Sequence, residues 1–154
     1  MAFSLIAENP EQRELSIFNR SAWIWHPLWE YVETKYPEIA DAVKYGHSND
    51  GDGLSGENSK KLGLLIKSDV ESGVARKYVE EFNAFLDSLE DTTCPRCLGF
   101  GLNRIGILKA GSSQCIKCSG TGKARPPVCS YWMRESDLDS FAEFLINCGG
   151  FKIT

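Results

Sequence analysis

The sequence is short of several things. In 154 residues no apolar run approaches the roughly 20 that a membrane-crossing helix needs. A membrane-spanning role is therefore not expected. Histidine occurs only at His26 and His47. There is no H-E-x-x-H pair, no phosphate-cradling glycine loop and no nucleophile–base motif. The residues that would assemble an ordinary catalytic constellation are not visible. The first ten residues carry no basic leader, and their apolar stretch is short for a signal peptide, so a cytoplasmic, soluble chain is expected. No tract is of low complexity. Finally, none of the 21 acidic residues falls in the segment 92–127.

That acid-free segment carries six cations, Arg96, Arg104, Lys109, Lys117, Lys123 and Arg125, against an overall net charge of −4. A basic module on an acidic body can meet an anionic partner or the body itself. The same segment holds four of the six cysteines. They stand in two copies of C-x-x-C-x-G-x-G: C-P-R-C-L-G-F-G at 94–101 and C-I-K-C-S-G-T-G at 115–122. Seventeen residues lie between Cys97 and Cys115, a four-cysteine zinc spacing. Two cysteines three apart on a tight turn present both sulfurs to one tetrahedral ion. The glycines allow positive φ, and backbone N–H groups can then point at the thiolates. Arg96 and Lys117 sit at matching positions beside the sulfurs. Cys94, Cys97, Cys115 and Cys118 are thus the expected ligands of one structural Zn²⁺. A thioredoxin-type redox pair is the weaker reading of Cys94 and Cys97, because the motif is duplicated. Ile105 and Ile107 alternate as part of a β-hairpin would.

These repeats resemble the cysteine-rich domain of DnaJ-type co-chaperones, over about 30 residues of the chain. That family has four repeats and two zinc sites; here two repeats imply one site. His26-Pro27 begins like the family's His-Pro-Asp signature, but Leu28 stands where the aspartate belongs, so ATPase activation is not implied. What the resemblance implies is a zinc-stapled hairpin that can serve as a binding surface. The stretches 25–29, 49–54 and 141–151 are similar to a group of bacterial and phage-associated proteins of unknown function, a resemblance that brings no activity with it.

The rest reads as follows. Residues 1–22 suggest an irregular or partly extended lead-in. A helix is expected from Pro27, with Leu28, Trp29, Val32 and Tyr36 on one face. Pro37 opens a short second helix through Lys44. A loop spans 46–56; Asp50, Asp52 and Gly53 match three positions of a calcium loop. Ser48 and Ser59 replace two key acidic ligands, so a polar turn with capping aspartates is the expectation. Asn58 or Ser59 should cap a helix carrying Leu62, Leu65, Ile66 and Val70 and ended by Gly73. A further helix places Val74, Tyr78, Phe82, Phe85, Leu86 and Leu89 on one buried face. Residues 128–133 suggest a strand. A last helix opens at Ser136 with Asp139 in a capping-box arrangement, lines its inner face with Leu138, Phe141, Ala142, Leu145 and Cys148, and is followed by a short strand. Cys129 and Cys148 should be buried free thiols. Trp23, Trp25, Trp29 and Tyr31 should belong to the core.

The expectation is a mainly helical α+β domain: a body over 1–91, a zinc β-hairpin module over 92–127, and a strand–helix unit over 128–154 completing the body. Its expected role is non-catalytic protein recognition, with inhibition of a host protein by a phage-type factor as one form. The alternatives are nucleic-acid binding through the six cations and hydrolase-like chemistry at His47 with Asp50 and Asp52.

Overall fold

A computed structural model describes residues 2–103 and 113–154. The fold is α+β. It divides into two units, Met1–Asn83 with Tyr131–Thr154, and Ala84–Ser130.

In the first unit, the lead-in expected to be irregular or partly extended contains two paired strands. Strand β1 (Ala2–Ala7) pairs antiparallel with β2 (Ile17–Ser21), with Leu5 opposite Phe18. Phe3 and Leu5 alternate inward along β1, the two-residue period of a half-buried strand. Helix α1 (Ala22–Lys35) and helix α2 (Pro37–Ala40) follow. Strand β3 (Gly53–Ser55) leads into helix α3 (Gly56–Ser72), and helix α4 (Val74–Ser88) comes next. In the second unit β4 (Thr92–Thr93) pairs with β5 (Lys123–Ala124). Helix α5 (Glu135–Asn147) and strand β6 (Gly150–Ile153) belong to the first unit. Its antiparallel sheet runs β2-β1-β6-β3.

Helix α1 starts five residues before Pro27. Proline inside a helix removes one N–H and orphans the carbonyl four residues back. Here that carbonyl is Trp23 O, and it accepts the backbone N–H of Trp132 at 3.2 Å. The interior proline is tolerated because a distant segment supplies the missing donor. The same exchange explains why residues 128–133 are not a strand. Pro127–Ser130 forms a 3₁₀ turn in which the Cys129 N–H donates to Pro126 O at 2.9 Å, and Trp132 spends its N–H on α1.

Other caps also differ from expectation. Ser55, not Asn58 or Ser59, caps α3, its Oγ accepting the N–H of Asn58 at 3.4 Å. Ser59 is buried within the helix and donates to Leu54 O. Gly73 ends α3 in the left-handed region at φ 83° as expected. Helix α5 begins at Glu135, so Ser136 lies inside it, and Asp139 pairs with Lys67 at 2.7 Å instead of closing a capping box.

The core of this unit joins the sheet to the helices. Phe18 meets Phe141 and Phe144 at ring separations of 5.3 and 5.4 Å, and Trp25 stacks on Phe3 and Trp29. Trp25, Trp29 and Tyr31 are fully buried; at ~25 cal/mol per Å² each ring contributes roughly 4–6 kcal/mol of transfer free energy as an upper bound. Trp23 is half-exposed and lies against Tyr131 instead. On α4, Ala75 and Val79 are buried, Tyr78 and Phe82 pack at the edge, and Phe85 is 57% exposed, so the expected single buried face is broken there.

Candidate metal centre

The centre is built by two turns of identical backbone grammar. In each, the residue after the second cysteine takes positive φ, Leu98 at 54° and Ser119 at 50°, and both following glycines do too. The duplicated sequence produces a reciprocal structure. The N–H of Cys94 donates to Gly122 O at 2.9 Å, and the N–H of Cys115 donates to Gly101 O at 2.8 Å. Strands β4 and β5 hold one side of the pair, and an antiparallel bridge between Leu102 and Gln114 holds the other. The expected hairpin positions Ile105 and Ile107 lie outside the described residues.

This frame brings all four expected cysteines together. They are buried free thiols, with Sγ atoms all within 4.8 Å of one another. Cys94 Sγ lies 3.9 Å from Cys115 Sγ, and Cys97 Sγ lies 3.7 Å from Cys118 Sγ. A disulfide would require about 2.0 Å. A tetrahedron of sulfurs about 2.3 Å from one ion has edges of about 3.8 Å. The donor set therefore fits one tetrahedral metal ion, and it is the one cluster of this kind among the described residues.

The backbone is arranged to stabilise negative sulfur. The N–H groups of Gly101 and Gly122 each donate at 3.3 Å, to Cys97 Sγ and Cys118 Sγ. At Cys118, burial pushes the thiol up, but the Gly122 N–H and the Cys97 and Cys115 thiols outweigh it, and the pKa falls to about 6. The Cys94 thiol is also lowered, first by the backbone N–H of Cys97, whereas the Cys97 thiol is raised, because burial outweighs the Gly101 N–H. Charge-favouring donors around buried thiols suit a thiolate–metal site.

The six cations separate into groups. Arg96, Lys117 and Lys123 are exposed. Arg125 is committed to structure: its guanidinium donates to Leu89 O at 2.6 Å and Leu86 O at 2.8 Å, at the end of α4. Arg104 and Lys109 lie outside the described residues. The turns also expose apolar side chains that sequence reasoning did not single out: Leu98 at 52%, Phe100 at 69% and Ile116 at 71%. Their signal was an apolar residue at a motif position free of structural duty.

The remaining thiols stand apart from this set. Cys129 is partly buried rather than fully buried and lies 3.7 Å from Leu86 O. Cys148 is buried and lies 3.5 Å from Leu145 O, its thiol pushed up by burial. In the 46–56 loop the aspartates serve the turn. Asp52 Oδ2 accepts the Tyr45 N–H, Asp52 Oδ1 accepts the Gly53 N–H, and Asp50 accepts from Ser48 Oγ. His47 hydrogen-bonds to neither aspartate; its neighbours are Glu33 and His26. The expected His47–Asp50–Asp52 grouping is thus not formed, because backbone N–H groups claim Asp52 and the Ser48 hydroxyl claims Asp50.

No helix among the described residues is long and apolar enough to cross a membrane. A scan against protein-family models and searches of curated proteins and of solved structures gave no match.

Proposed function

We propose that Cys94, Cys97, Cys115 and Cys118 hold one structural Zn²⁺ and that the metal-fixed turns form a protein-recognition surface. The observation that carries this is the spacing of the sulfurs, 3.7 and 3.9 Å, at the edge length of a tetrahedral thiolate cage. Four sulfur ligands leave no open coordination position, which suits a structural rather than a catalytic ion. Zinc is the natural occupant of a tetrahedral S₄ set whose sulfurs, 3.9 and 3.7 Å apart, are spaced to close around a single ion. The half-site likeness to the DnaJ-type zinc module supports this reading through the motif alone.

Recognition is assigned to the exposed tips. Leu98, Phe100 and Ile116 gain nothing by facing water, and Arg96 and Lys117 flank them in sequence. Apolar anchors with a cationic rim suit a protein partner that presents apolar and acidic groups. Inhibition of a host protein by a phage-type factor is one setting for such a surface.

Metal analysis of chelator-free protein tests the first half: about one zinc per chain is expected, and absence of stoichiometric metal overturns it. A pull-down from native lysate tests the second, comparing wild type with Phe100→Ala and Ile116→Ala. A partner retained by wild type and lost by both variants supports the surface; equal capture by all three rejects it. The nucleic-acid alternative rests on the exposed Arg96, Lys117 and Lys123, since Arg125 is occupied. Absence of binding to labelled RNA or DNA at low salt rejects it.

A further inference from the structure

Glu33, His47 and His26 form a continuous array in the first unit. His26 and Glu33 are seven residues apart on α1, two turns along one face. His47 bridges them from the loop: its Nε2 lies 3.1 Å from Glu33 Oε2, and its Nδ1 lies 2.9 Å from His26 Nδ1. The sequence contains no further histidine, yet the fold places the two imidazoles nitrogen to nitrogen.

Both rings are held in place. The neighbour of His47 is Gly46, whose carbonyl accepts the buried Trp25 Nε1–H at 2.8 Å. A Cβ on Gly46 would fall 2.0 Å from Trp29 Nε1, so the backbone there is wedged against the indole. His26 stands edge-on to Phe3 at 5.1 Å and to Tyr131 at 5.9 Å. The outer side remains open, with His47 43% and Glu33 44% exposed.

We propose that His26 Nδ1 and His47 Nδ1 form a second metal site, a two-imidazole chelate for a divalent late-transition ion such as Ni²⁺ or Zn²⁺. Two nitrogens about 2.0–2.1 Å from a tetrahedral ion lie about 3.3 Å apart, so the ion is admitted when the Nδ1 atoms separate by about 0.4 Å and the two rings turn by roughly 35° to aim both lone pairs at it. Imidazole is a suitable donor for these metals. Glu33 accepts the Nε2–H of His47, which leaves the Nδ1 lone pair facing the site; a carboxylate behind a ligating histidine is the usual orienting partner. Without metal, that lone pair accepts the Nδ1–H of His26. On binding, the His26 proton moves to Nε2 through solvent, both Nδ1 lone pairs bond the ion, and no net proton is released. Water fills the remaining positions.

The test uses tag-free, full-length protein already carrying one zinc, titrated with Ni²⁺ near neutral pH by calorimetry, with released zinc measured by a colorimetric indicator. Uptake of about one Ni²⁺ per chain without zinc release is expected. His47→Gln and His26→Gln should abolish it, and Glu33→Gln should weaken it about tenfold. His47 is exposed, so its variant keeps the fold and carries the test if His26→Gln disturbs packing. Absence of Ni²⁺ uptake, uptake matched by zinc release, or unchanged uptake by His47→Gln overturns the proposal.

Discussion

Gly101 and Gly122 each lie against the other turn: a Cβ on Gly101 would meet Gly120 O at 2.3 Å, and a Cβ on Gly122 would meet Gly99 O at 2.3 Å. Both also have positive φ, at 72° and 75°. The last glycine of each motif is what lets the two turns close over the sulfurs.

Gly101→Ala and Gly122→Ala should therefore each weaken metal holding. The strained backbone alone costs about 1–3 kcal/mol, and the clash is with backbone oxygen that cannot swing aside. A loss of at least about tenfold in zinc affinity is expected in a chelator competition. Gly51→Ala is the control, since its built Cβ meets nothing within 4 Å although its φ is also positive, at 80°. Equal zinc affinity in all three variants would show that the close approach is unimportant.

Cys94→Ser combined with Cys115→Ser should release zinc and melt the paired turns, whose buried cluster among the described residues is the four cysteines with Ala124 packed at its edge. The first unit has its own core, including Trp25, Trp29 and Phe141, and should stay folded. Far-ultraviolet circular dichroism should retain most of the helical signal. Its complete loss would mean that the metal holds more than its own unit.

Gly63 marks the contact of α3 with α5. A Cβ there would lie 2.8 Å from Ile146 Cγ1 and 2.9 Å from Ala142 O. Gly63→Ala should destabilise by about 1–3 kcal/mol through overpacking, outweighing the helix propensity gained. Urea unfolding measures this, and a midpoint raised above wild type would contradict it.

Tyr31 and Tyr36 both donate to Asp69 Oδ2, at 2.5 Å each. Burial, then the Asp69 hydrogen bond and charge, raise both phenols above their ordinary value of 10.0. The unfolded chain ionises these phenols near pH 10 while the folded chain keeps their protons, so stability is full below that pH and declines above it. Tyr31→Phe with Tyr36→Phe should make stability less steep in alkali, while lowering it at neutral pH. An unchanged alkaline slope would refute the assignment.

The four clustered cysteines were legible because the chemistry is local: paired cysteines on a turn need fixed spacing and glycines, and both are written in the chain. The helical faces around Leu62 and Ile66, and around Leu138, Phe141 and Leu145, were legible for a similar reason, since a 3.6-residue period survives without knowledge of partners. The α+β class followed from these segments. The stop at Gly73 was equally local.

Other features needed partners far away in sequence. Pro27 marks a helix start only if the Trp23 carbonyl has no other donor, and Trp132 supplies one from more than a hundred residues later. The short strands β1 and β2 became visible through pairing, because neither can satisfy its backbone alone. Arg125 counted as a free cation until Leu86 O and Leu89 O claimed it. His47 took Glu33 and His26 as neighbours, not the aspartates beside it in the chain. Local sequence determined the sulfur set and the amphipathic periods, because short-range geometry is encoded within a few residues. Tertiary structure decided which donors met which acceptors, because that choice depends on segments that only folding brings together.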